Sequence, residues 1–237
     1  MKLDISFLLL LFMVMPLSGQ GTNPKQARPK SVKNYQEVPL PTLQSKANGG
    51  DAAAEFELGT RYALGKGGAP LDYPEAKKWY RRAAARGHVD AQFRVGFCYF
   101  FGDLDTEVDW AEAMPWLLKA AKQGHAASQF ELGEIYRQGC NAIPKDFHES
   151  ARWYRKSAYQ GNPFGQWWTS QYYRLGLGVP EDISEAYVWQ SIAATSGKKE
   201  DAQQRDQLAA QLSTQALEAA QVRARKLAEE ISANMGK

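Results

Sequence analysis

The chain of 237 residues is 44% hydrophobic and 23% charged, enough apolar material for a folded core, which excludes wholesale disorder. Twenty-nine Lys and Arg against 26 Asp and Glu leave a formal charge of +3 without runs of like charge, too mild a balance for a nucleic-acid-binding protein. Two cysteines and three histidines argue against a disulfide scaffold or a dedicated zinc module.

Lys2 and the terminal amine precede an apolar run from Ile5 to Met15, which Pro16 ends. This is the outline of an export signal. The run holds about eleven residues, short of the roughly 20 that cross a bilayer. Gly19 and Gly21 supply the small residues that processing needs, so residues 1–21 read as a signal peptide, with an uncleaved anchor as the alternative. The expected location is periplasmic or secreted, with no stable membrane insertion after cleavage. Residues 22–46 carry Pro24, Pro29, Pro39 and Pro41 without an apolar period and read as a flexible, Pro-rich linker. Docking of Val38 to Leu43 onto the folded part is the other possibility.

From residue 47 the chain aligns with itself. Gly50, Gly87, Gly124, Gly161 and Gly197 are separated by 37, 37, 37 and 36 residues, giving four units over 50–86, 87–123, 124–160 and 161–197. Tyr62, Tyr99, Tyr136 and Tyr173 move in step, as do Trp79, Trp116, Trp153 and Trp189. Each unit reads as two antiparallel helices. Gly65, Gly102, Gly139 and Gly176 stop the first, where a left-handed cap suits glycine. Asp72-x-x-Glu75 and its copies at Asp109, Asp146 and Asp182 open the second as a capping box with Asp in first place. Small residues recur at Ala54, Ala91, Ser128 and Gly165 and again at Gly59, Gly96, Gly133 and Ser170, which implies backbones too close for a side chain. Such hairpins bury both faces only by stacking, so the expected fold is all-α, a right-handed α/α superhelix. Residues 198–237 read as capping helices, with Leu217, Ala220, Ala224, Leu227 and Ile231 on one face.

Leu58-Gly59-x-x-Tyr62-x-x-Gly65, then Asp72-x-x-Glu75-Ala76-x-x-Trp79 and Ala83-Ala84-x-x-Gly87, resembles the Sel1-like repeat family, relatives of tetratricopeptide repeats. The resemblance covers about 60% of the chain. Copy four departs with Thr169-Ser170 for the Leu-Gly pair, and copy three has Ser150 for alanine, which suggests looser packing at both. The resemblance implies a protein-binding adaptor or regulator without catalysis. Exported bacterial members also include immunity proteins against secreted effectors, and an inhibitor is the alternative reading. Cell-wall or β-lactam-acting relatives carry paired cysteines in every repeat, which this chain lacks.

No set of acids, bases, nucleophiles or metal ligands converges in the sequence, so no catalytic, metal or cofactor residue is assigned. His88 and His125 share one repeat position at a helix start. Asp103, Asp105, Glu107 and Asp109 alternate like calcium-loop oxygens, but Val108 and Met114 stand where such a loop needs glycine and a bidentate acid. A Cys98–Cys140 bridge requires the loop after Gly139 to curl back. Pro115 is expected to bend its helix or delay its start. Residues peculiar to one copy are free for recognition. By analogy with tetratricopeptide arrays the concave face carries Phe97, Phe100 and Phe101 in copy two, Glu134, Arg137 and Gln138 in copy three, and Gln171 and Arg174 in copy four. The expected partner is another protein, gripped by the phenylalanines as anchors and by the arginines as forks for carboxylates.

Overall fold

The computed structural model describes residues 35–140 and 142–235. The expected signal peptide and residues 22–34 of the expected linker lie outside the described residues. Within them the chain forms eleven α-helices: α1 (Leu40–Asn48), α2 (Ala52–Leu64), α3 (Tyr73–Ala85), α4 (Val89–Phe101), α5 (Trp110–Lys122), α6 (Ala126–Gln138), α7 (Phe147–Tyr159), α8 (Pro163–Leu175), α9 (Ile183–Ala193), α10 (Lys199–Ala209) and α11 (Thr214–Met235). The hairpins α2/α3, α4/α5, α6/α7 and α8/α9 stack in chain order. The result is an all-helical α/α superhelix.

Every helix start in the array is chosen by one residue. Asp51, His88, His125 and Asn162 cap the first helices, and Asp72, Asp109, Asp146 and Asp182 cap the second, each accepting from an amide two or three residues on. The reciprocal arm of the expected capping box does not form. The amide of Asp72 instead donates to the carbonyl of Tyr62 at 2.9 Å, and Asp109, Asp146 and Asp182 donate likewise to Tyr99, Tyr136 and Tyr173. Each hairpin is thereby closed by a backbone bond, and the glutamate is left to pair outward, as Glu75 does with Lys78 at 2.8 Å.

Within a hairpin the helices touch at glycine. A Cβ on Gly133 would lie 2.5 Å from Cδ1 of Tyr154 on α7, so α6 and α7 approach as closely as they do only because no side chain intervenes. Between hairpins the contact is a glutamine. Gln92, Gln129 and Gln166 donate through Nε2 to the carbonyls of Ala84, Ala121 and Ala158 in the preceding hairpin, at 3.2, 3.1 and 3.4 Å. Copy one has Glu55 here, which cannot donate. Arg82 reaches the matching carbonyl of Ala47 at 3.3 Å instead and pairs with Glu55 at 3.0 Å.

That bond to Ala47 shows what α1 is. Leu43 and Ala47 stand 37 residues before Tyr80 and Ala84, so α1 corresponds to the last part of a second helix. It covers the open end of the array, with Leu43 buried beside Ala54, Leu58 and Trp79. The expected linker therefore stops short: from Tyr35 the chain is docked, because two apolar side chains and Arg61, whose Nη2 bonds the Tyr35 carbonyl at 2.8 Å, hold it down. At the other end α10 and α11 both pack on α9, and Ala220, Ala224, Leu227 and Ile231 are buried against it.

Two further expectations are corrected. Ser150 and Ser170 do not loosen the packing: both are fully buried, and their hydroxyls donate to Gly133 and Ala186 carbonyls, each at 2.8 Å. Pro115 does not delay α5, which begins directly after Asp109 like its counterparts; Ala111 and Pro115 both face solvent, so water can take the carbonyl the proline cannot serve. Cys98 is buried in α4 while Cys140 sits exposed in a tight turn bridged to Ile143, and both are free thiols, as the helix spacing suggested.

Candidate functional site

On α4 the side chains of Ala91, Gln92, Val95, Gly96, Cys98 and Phe100 are buried, while Asp90, Phe93, Arg94, Phe97 and Phe101 form a half-buried stripe at helical spacing. The rings of Phe93, Phe97 and Phe101 run along it as a ladder with centroid separations of 5.4 and 4.5 Å. Arg94 lies over Phe97 at 5.5 Å and is held there by Asp103 at 3.2 Å. Phe100 is not part of this surface. It is 6% exposed and stacks on Trp110 at 5.2 Å, because a residue three positions after Phe97 is turned about 60° from it, here toward α5.

In copy three the equivalent positions are filled. Glu134 is 9% exposed and accepts from both arms of Arg137, the shortest at 2.6 Å, from Gln138 at 3.1 Å and from the Tyr154 hydroxyl. It is a structural acceptor and not a free contact. The Arg137 fork is correspondingly occupied, and its guanidinium lies over Trp168 at 4.8 Å. Burial first, and the Glu134 charge second, push the Tyr154 hydroxyl well above the ordinary tyrosine range. Gln171 is likewise 3% exposed, held by Arg174 at 3.0 Å and by Gln204 of α10 at 3.1 Å. Of the eight residues expected on the concave face, Phe97, Phe101, Arg137, Gln138 and Arg174 keep part of their surface open, whereas Phe100, Glu134 and Gln171 are inside.

Sequence reasoning missed Arg94 and Trp168. They occupy the same repeat position as Glu57 and Glu131, where Arg and Trp each occur in one copy only, so the comparison of copies that singled out Phe97 carried the signal for them too. It also passed over Glu131, which is 3% exposed and has no ion pair or hydrogen bond to a described residue. Burial, reinforced by the neighbouring Glu134, raises its carboxyl well above the ordinary carboxylate range.

Among the described residues no three His, Cys, Asp or Glu side chains come together as metal ligands. The acids of the calcium-like run disperse: Asp103 serves Arg94 and Asp109 caps α5. A cleft of about 410 Å³ between the end of α7 and α11, lined by Tyr159, Val222, Arg223, Lys226 and Glu230, lies away from the stripe. Among the described residues no helix is long and apolar enough to cross a membrane.

Stacked two-helix units with such a stripe on the first helices define an α/α solenoid of interaction-module type. The Sel1 repeat family matches residues 52–88, 89–125, 126–162 and 163–198, and the chain belongs to that family. A Sel1 repeat protein from Oxalobacter formigenes, known from its crystal structure, is 32% identical with a TM-score of 0.63, covering 70% of this chain and 47% of that one. A protective antigen present in uropathogenic Escherichia coli strains, displaying an SLR fold, is 24% identical with a TM-score of 0.52, covering 82% of this chain and 49% of its own. The chain thus spans about half the length of these two solved relatives. None of the curated proteins compared with it matches. Sel1 repeat proteins are generally protein-interaction modules, and the repeats are a non-catalytic scaffold.

Proposed function

We propose that the chain is an exported adaptor or regulator that binds one protein partner along the first-helix stripe, with Phe97 and Phe101 as apolar anchors and Arg137, Gln138 and Arg174 as the polar flank. The observation that carries this reading is the ladder of three half-buried phenylalanine rings on α4. Aromatic residues concentrate binding energy at interfaces, and copies one, three and four do not repeat this ladder. Export rests on Lys2 and the apolar run Ile5 to Met15.

The test compares phenylalanines on the two sides of one helix. Phe97→Ala with Phe101→Ala should leave the melting temperature within a few degrees and abolish crosslinking to the partner identified by mass spectrometry in envelope extracts. Phe100→Ala should lower stability by about 3 kcal/mol or more through a core cavity. If the double variant unfolds, or keeps the partner, α4 is not the anchor. If the partner is an enzyme whose activity falls on binding, the protein is an inhibitor.

A further inference from the structure

His88 and His125 begin α4 and α6, the helices that carry the aromatic ladder and the Glu134–Arg137 cluster. Each imidazole is the cap of its helix. Nδ1 of His88 accepts from the amide of Ala91 at 3.3 Å, and Nδ1 of His125 from the amide of Ser128 at 3.1 Å, with the Ser128 hydroxyl at 2.9 Å. Nδ1 must be unprotonated to do this, so the proton of the neutral ring is on Nε2. The two rings also lie between hairpins, His88 stacked on Phe56 at 4.7 Å and His125 tilted against Phe93 at 4.6 Å. The corresponding caps of copies one and four are the side-chain oxygens of Asp51 and Asn162.

We propose that His88 and His125 are a proton-operated release for the binding stripe, uncapping α4 and α6 together on mild acidification. A proton on Nδ1 turns the acceptor into a donor aimed at an amide that is itself a donor. It also places a positive charge at the positive end of the helix dipole, in a seam between aromatic rings. The first turns of α4 and α6 then lose their caps, and the stripe above them loses its fixed geometry. The charged groups facing His88 are Asp90 on α4 and Asp51 at the start of α2; the one facing His125 is Asp90, with Oδ1 3.7 Å from Nε2. These favour the cation, yet burial outweighs them and both histidines are held below the ordinary value. The sign follows: the folded chain takes up these protons less readily than the unfolded one, so the stabilisation is complete above about pH 6.5 and is lost as pH falls below it.

The consequence for binding rests on the reading of the stripe given above; the switch itself is tested without a partner. In the wild-type protein, NMR titration should show both rings protonating below about pH 6.5, with the Ala91 and Ser128 amides moving in step. In H88N/H125N, which copies the cap of copy four, those amides should not respond between pH 7.5 and 5.5. The melting temperature should also fall over that range by about 2–4 °C less than in the wild type. Glu131, raised in its carboxyl, gives the opposite slope, so the reading is the difference between the two proteins. Ring protonation at or above pH 6.5, or amides that ignore it, overturns the proposal even if the variant does not fold. Loss of the partner in the Phe97/Phe101 variant at pH 7.5 judges the stripe independently.

Discussion

The hydrogen on Gly133 is the largest side chain that α6 tolerates at that point, since the Tyr154 ring already occupies the place of a Cβ. Gly133→Val should therefore lower stability by more than about 2 kcal/mol in urea denaturation, and a neutral result would mean the hairpin can open without cost. Two residues earlier, Glu131 makes the opposite case. Its raised carboxyl means that the fold gains from its protonation below the ordinary glutamate value and loses that gain as pH rises. Glu131→Gln should raise the melting temperature at pH 8 and make no difference near pH 4, as a calorimetric pH series can show. Both residues were visible in the sequence, but as different kinds of information. Gly133 returns in register with Gly59 and Gly96 and announces a close contact. Glu131 has no counterpart of its kind except Glu57, and nothing along the chain shows that its neighbours leave it unpaired.

At the level of helices, the bonds between hairpins matter most. Gln92 is satisfied at both ends, donating to the Ala84 carbonyl and accepting from Gln123 at 2.8 Å. Gln129 donates to Ala121, but its Oε1 has no partner. Net stabilisation by a buried hydrogen bond is about 1 kcal/mol, and an unpaired buried acceptor offsets it. Gln92→Met should thus cost about 1–3 kcal/mol and Gln129→Met at most about 1, compared by urea denaturation of the two variants; equal costs would remove the bond pattern as the explanation. Second-helix starts were legible because an Asp before a helical period has a local reason to be there. The histidine caps were not, since imidazole is an uncommon cap. Nor was the backbone bond from Asp72 to Tyr62, which depends on how far the loop between two helices bends back.

For the whole molecule, the two ends and the inner stripe are the parts that do not repeat. α1 supplies half a unit at one end, and α11 lays its apolar face on α9 at the other. The stripe is open and aromatic on α4 but filled on α6, where Arg137, Gln138 and Tyr154 close over Glu134. The open aromatic surface is thereby concentrated in copy two, and the contrast between Phe97 with Phe101 and Phe100 tests whether the proposed recognition follows that asymmetry, because all three lie within five residues on one helix.

What the sequence by itself determined is the repeating part: four helical hairpins in their register, their caps, their glycine contacts and the membership of the family. Of the N-terminal caps, only the Asp at each second helix was legible; these features follow from local propensities multiplied by a period, and each copy restates them. What only the tertiary structure decided is which faces remain open. Phe97 and Phe100 are the same residue three positions apart, and Glu131 and Glu134 are likewise the same residue at the same spacing. Whether each is an anchor, a core residue, a paired acid or a lone one depends on the neighbouring hairpin, whose distance and rotation no local pattern specifies.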